Sequence, residues 1–138
     1  DSEVAFRPGA ESVVAVASGL GPVGILTNGP ERRQRVKIEA EGLDDAVDGI
    51  VYAGDLPRRK PHVEPFVAIL DVLGVEPRGA LYVGDSLAYD VAGAHNAGLR
   101  VAWLRRDGDD GDDGDAGDYD PDYVLDSLAD LEAVLVDG

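Results

Sequence analysis

The chain has no cysteine and no methionine among its 138 residues, and only one tryptophan, two phenylalanines and two histidines. Without cysteine there is no disulfide, no thiolate chemistry and no zinc site of the usual kind, and redox compartment leaves no mark. No apolar run approaches the ~20 residues that a membrane-spanning helix needs, and no signal-peptide pattern opens the chain. The expectations are therefore no membrane partner and a cytoplasmic location. Basic residues are scarce as well, 12 against 28 acidic ones, for a formal charge of −16. No basic stripe exists to displace counterions from a nucleic-acid backbone, which argues against nucleic acid as a partner.

What the chain does have is aspartate and arginine: Asp outnumbers Glu by 20 to 8, and Arg outnumbers Lys by 10 to 2. A surface this negative repels itself in dilute buffer and is relieved as salt shortens the Debye length. The bias is similar to that of proteins from salt-loaded, halophilic cytoplasm. The length suits one domain with a substantial core.

Short apolar segments alternate with segments of helical period. The pattern predicts a helix from Ala10 to Leu20, a strand from Val23 to Thr27, a helix from Glu31 to Ala40 and a strand from Ile50 to Ala53. A helix from Val63 to Leu73, a strand from Leu81 to Val83, a helix from Tyr89 to Ala97 and a strand from Val101 to Leu104 follow. This alternation indicates an α/β fold, a Rossmann-like parallel sheet with helices on both faces. Asp107 to Asp122, with GDDGDDGDAGD, has no apolar pattern and is expected to be a mobile acidic loop, since its spacing does not match an EF-hand. Tyr123 to Leu125 is expected as a short edge strand, and Ser127 as the cap of a final helix ending near Val136.

Three strand ends carry the chemistry. Leu81 to Gly98 reads LYVGDSLAYDVAGAHNAG, an apolar run that stops at Gly84-Asp85, with Asp90 five residues later. Ligands in open α/β sheets collect outside the carboxyl ends of the strands, where two carboxylates can hold Mg²⁺ beside a phosphate. The simpler alternative is that Asp85 only caps the next helix. Val23 to Gly29, VGILTNG, runs into Thr27, Asn28 and Gly29 and then Pro30, a favourable first helical residue. These groups can cradle an anion at a helix N-terminus, or they can form an ordinary strand-to-helix turn. Lys60 lies before Pro61 in RRKPHVEPF, in the loop after the second strand. Lys37, the other lysine, reads as a solvated surface residue.

A hydroxyl after one strand, a lysine after the next and paired aspartates after a third, in that order, resemble three motifs of the haloacid dehalogenase-like hydrolases. The resemblance runs from Arg7-Pro8-Gly9 through the last helix and is nearest to the subfamily with phosphoglycolate phosphatases and pyrimidine nucleotidases. It implies a Mg²⁺-dependent phosphatase acting on a small phosphorylated metabolite. By that resemblance Thr27 would hydrogen-bond the transferring phosphoryl group, with Asn28 and Gly29 completing the cradle. Lys60 would neutralise charge on nucleophile and phosphoryl oxygens. Asp85 would be a Mg²⁺ ligand, and Asp90 a second ligand or a partner reached through metal-bound water.

The family's first motif, DxDxT, is missing from this chain, and so is the cap insertion that selects substrate in this subfamily. In relatives the first Asp attacks phosphorus to form an aspartyl-phosphate, and the second acts as acid and base. The resemblance therefore describes a partial core, residues 1–138, without its central first strand. A fragment of a longer protein is expected, inactive alone and short for this class with its cap. The two flanking half-sheets would have bare inner edges, closed by a separate amino-terminal segment, by a second copy or by direct re-pairing. The alternatives are a carbon–halogen hydrolase and a non-catalytic module that binds phosphate or a partner. His62 is expected at a helix start, His95 as a packed or surface residue, and Trp103 as core or rim packing.

Overall fold

The computed structural model describes residues 10–40, 42–105 and 119–137. Five short parallel-type strands alternate with helices. The order is α1 (Ala10–Ser18), β1 (Gly24–Thr27), α2 (Glu31–Ala40), β2 (Gly49–Tyr52) and α3 (Val63–Leu73). After these come β3 (Leu81–Gly84), a π-helical turn (Leu87–Val91) running into α4 (Ala92–Asn96), then β4 (Arg100–Leu104), β5 (Tyr123–Leu125) and α5 (Leu128–Asp137). The elements expected from the periodicity are all present, with ends shifted by one or two residues except in the segment after Asp85. There the expected helix from Tyr89 to Ala97 is instead a widened turn and a five-residue helix. Positions 107–118 of the acidic stretch lie outside the described residues.

The strands make two parallel sheets. One pairs β1 with β2, from Gly24 opposite Gly49 to Thr27 opposite Tyr52. The other has the order β3-β4-β5, with Leu81 opposite Arg100 and Ala102 opposite Tyr123, so β5 is an edge strand as expected. Among the described residues β1 and β3 are not paired with each other. The expected gap is there, and direct re-pairing of the flanking strands is not how it closes. A mainly apolar cavity of about 580 Å³ lies between the half-sheets, lined by β1, by Leu81 to Val83 of β3 and by helical residues such as Val14, Ile69 and Leu131.

Helices on both faces hold the halves together. Successive residues of a strand point to opposite faces, and here they enter different cores. Leu26, Val101 and Trp103 join Phe66, Ile69, Leu70, Val91 and Ala94 of α3 and the α4 region. Ala102 and Leu104 meet Val13 of α1 and Leu128 and Leu131 of α5, while Ile25 meets Ile38 of α2. Burial on both faces is why these strands read as unbroken apolar runs. Helix α3 buries Phe66, Ile69 and Leu70 at helical spacing and stops at Gly74, whose φ of 69° is left-handed. His62 is the residue before its first turn, as expected. No helix among the described residues is long and apolar enough to cross a membrane.

Candidate functional site

Strand β1 delivers a buried Thr27, and the chain turns at once into α2. The Gly29 N–H donates to Thr27 Oγ1 at 3.3 Å, which folds the loop back on its own hydroxyl. Asn28 then ties this loop to the next one: its Oδ1 accepts from the backbone N–H of Lys60 at 3.0 Å. An anion needs donors, and on the Asn28 side chain only the amide NH2 can supply them.

Lys60 carries the connection onward through its side chain. Its Nζ lies 2.6 Å from Asp90 Oδ1 and donates to the Tyr82 hydroxyl at 3.1 Å, while that hydroxyl donates to the same Asp90 oxygen at 3.2 Å. The two charged side chains are 1% and 0% exposed. A buried ion pair is tolerated when further hydrogen bonds satisfy what the pair leaves over, and Tyr82 supplies them from both sides. The phenol ring is placed by Phe66, edge to face at 5.0 Å between centroids, and the ammonium sits 5.7 Å from the Tyr82 centroid.

The third loop contributes Asp85 and Asp90. A π-helical turn follows Ser86: Asp90 and Val91 both donate their N–H groups to the Ser86 carbonyl, at 3.0 and 3.1 Å. The widened turn carries the Asp90 carboxylate back under the strand tip, where its Oδ2 accepts from the Ser86 N–H at 3.1 Å. Only glycine permits this at position 84, since a Cβ there would lie 2.3 to 2.4 Å from Asp90 side-chain atoms. Asp85 is buried, and its carbonyl accepts from the Trp103 indole N–H at 3.2 Å.

The structure thus gathers the strand-end residues into one chain of contacts from the Thr27 loop through Asn28, Lys60 and Asp90 to the Asp85–Ser86 turn. Asp90 has both oxygens engaged by protein donors, and Asp85 places a second carboxylate-bearing residue at the tip of β3. No group of three or more His, Asp or Glu side chains that could hold a metal forms among the described residues. One carboxylate with a second behind it still suits Mg²⁺, which keeps several waters and takes few protein ligands.

Sequence reasoning missed two members of this site. Tyr82 and Trp103 were legible only as polar-tipped aromatics in strands buried on both faces, where an O–H or N–H requires a partner. The expectation of plain packing for Trp103 holds for its ring and leaves out its hydrogen bond. His95 stays away from the site, at the surface: its Nε2 lies 3.0 Å from Asp122 Oδ2. That contact and the Val101 N–H hold the Asp122 carboxyl below its ordinary range, against partial burial.

A family model described as haloacid dehalogenase-like hydrolase matches residues 1–98. N-acylneuraminate-9-phosphatase of Rattus norvegicus is 37% identical over 112 residues, covering 80% of this chain and 44% of that protein. Among solved structures, a HAD phosphatase from Thermococcus onnurineus is 34% identical with a TM-score of 0.81, over 93% of this chain and 57% of the other. The magnesium-bound HAD-hydrolase YfnB of Bacillus subtilis is 25% identical with a TM-score of 0.77, over 94% and 54%. The chain spans about half the length of the curated relatives it matches.

Proposed function

This chain belongs to the haloacid dehalogenase-like hydrolases, and from that membership we propose that it supplies the phosphate- and metal-holding half of a Mg²⁺-dependent phosphatase of small phosphorylated metabolites. The observation that carries the reading is the Asn28–Lys60–Asp90 chain of contacts, which draws three strand tips to one place. The similarity to N-acylneuraminate-9-phosphatase and to a HAD phosphatase favours phosphomonoesters over organohalides.

In this reading Thr27 Oγ1, the Asn28 amide and the Gly29 loop at the α2 N-terminus hold phosphoryl oxygens. The Lys60 ammonium, fixed by Asp90 and Tyr82, stabilises negative charge developing in the transition state. Asp85 would hold Mg²⁺, and Asp90 would act behind it, through its contact with Lys60. Mg²⁺ would supply charge neutralisation at the phosphate. The nucleophilic carboxylate that accepts the phosphoryl group lies outside these residues, on a strand we assign to the cavity between β1 and β3.

The test is hydrolysis of p-nitrophenyl phosphate in molar KCl by the full-length source protein and by the 138-residue chain. The full-length protein is expected to be Mg²⁺-dependent and to lose at least 100-fold in kcat on Lys60→Ala, the size of loss expected when one preorganised charge donor is removed. The 138 residues alone are expected not to exceed their own Lys60→Ala variant. Metal-independent chloride release from a 2-chloroacid by the full-length protein would replace this reading with the carbon–halogen one.

A further inference from the structure

The peptide unit joining Asp85 to Ser86 is gripped at both ends by side chains from other parts of the chain. Its carbonyl accepts from Trp103 Nε1 at 3.2 Å, and its N–H donates to Asp90 Oδ2 at 3.1 Å. Neither bond belongs to the sheet. The β3–β4 register ends with Gly84 opposite Trp103, so the next carbonyl has passed the last paired position. A buried carbonyl needs a donor, and the indole of the facing residue leans over to provide it.

Both gripping groups are themselves buried and have further partners. Trp103 is packed in the core with Phe66, Leu87 and Val91. Asp90 is fully buried and held by Lys60 and Tyr82. The Asp85 carboxylate swings by its own χ1 and χ2 torsions, starting from a Cα that the backbone places. With the peptide plane after Asp85 held, its Cα is held too, which narrows where the side chain can carry the carboxylate before a cation binds.

We propose that Trp103 is a positioning residue: together with Asp90 it clamps the Asp85–Ser86 peptide and so aims the Asp85 carboxylate at the cation. This rests on Asp85 being a Mg²⁺ ligand, as assigned above. It gives the indole N–H a role that ring packing alone does not require, and it separates the two aspartates by task. Asp85 faces the ion, and Asp90 holds the backbone that presents it.

Because the chain contains one tryptophan, biosynthetic replacement of tryptophan by β-(3-benzothienyl)alanine exchanges the indole N–H for sulfur at position 103 alone and keeps the ring's shape. Amide exchange of Ser86, measured by NMR in the 138-residue chain without metal, is expected to quicken about fivefold, the factor for loss of one neutral hydrogen bond. The Ile69 and Leu70 amides, inside α3, serve as controls for global loosening. Mn²⁺ affinity, read from paramagnetic broadening around Asp85, is expected to fall several-fold. Trp103→Phe, which also removes the donor, repeats both measurements in an ordinary background. Ser86 exchange that rises no more than the controls overturns the clamp. Mn²⁺ affinity that is unmoved by Asp85→Asn overturns the assignment of Asp85 as ligand instead, while the Ser86 measurement still judges the clamp.

Discussion

Lys60 and Asp90 concentrate the energetics of the site at single residues. Both side chains are out of water, so removal of one leaves the other as an uncompensated buried charge. Lys60→Met is expected to lower stability by about 3–5 kcal/mol in urea unfolding, and Lys60→Met with Asp90→Leu to recover part of that loss. A cost below about 1 kcal/mol for the single change would mean that the pair is in effect solvated, like exposed pairs. The sequence named both residues, because a lone lysine after a strand and an aspartate five residues past a Gly-Asp corner are rare enough to notice. It did not name Tyr82 as their shared partner. A tyrosine in an apolar strand looks the same whether its hydroxyl meets solvent, backbone or a buried ion pair.

Between elements, the joint of α4, β4 and β5 is held by one carboxylate. Asp122 Oδ2 accepts from the Val101 N–H at 2.8 Å and meets His95 Nε2 at 3.0 Å, so it ties the start of β5 to β4 and to the helix before it. Its folded-state pKa is lowered, first by the His95 hydrogen bond. A lowered carboxyl pKa stabilises the fold above the ordinary carboxylate range, and the contribution is lost as pH falls through the folded-state value. The native chain is therefore expected to be more stable than Asp122→Asn at pH 6, with the difference in urea midpoint shrinking as pH falls below 4. A difference that is constant from pH 6 to pH 3 would rule out the charge as its cause. The joint is partly exposed, so the effect is small. At this scale the periodicity located the strands and the longer α-helices among the described residues, yet it misread the segment after Asp85. The hydrogen-bonding needs of Asp90 and Ser86 widen that turn, and small residues at helical spacing carry no trace of such a need.

The molecule as a whole is two parallel half-sheets held by helices around a cavity of about 580 Å³. Edges β1 and β3 face that cavity, and unpaired strand edges of this kind attract another strand. The expectation is that, among residues 25–27 and 81–83, the amides directed away from β2 and β4 exchange at least tenfold more slowly in the full-length source protein than in the 138-residue chain. A single strand inserted between the edges would pair with both. Equal exchange in the two would sink the assignment, and protection that grows with concentration of the 138 residues would identify a second copy as the occupant instead.

The order of strands and helices, the parallel sheet buried on both faces and the three strand tips with Thr27, Lys60 and Asp85 follow from local pattern alone. Apolar period and turn chemistry act over a few residues, and a strand tip is where a short apolar run meets glycine or a polar group. The Asn28–Lys60 bond, the Tyr82 bridge, the inward-turned Asp90 and the Trp103 grip on Asp85 were settled only on folding. Each joins residues 8 to 32 positions apart, at distances and angles set by how sheets and helices pack, to which residue spacing along a chain is blind.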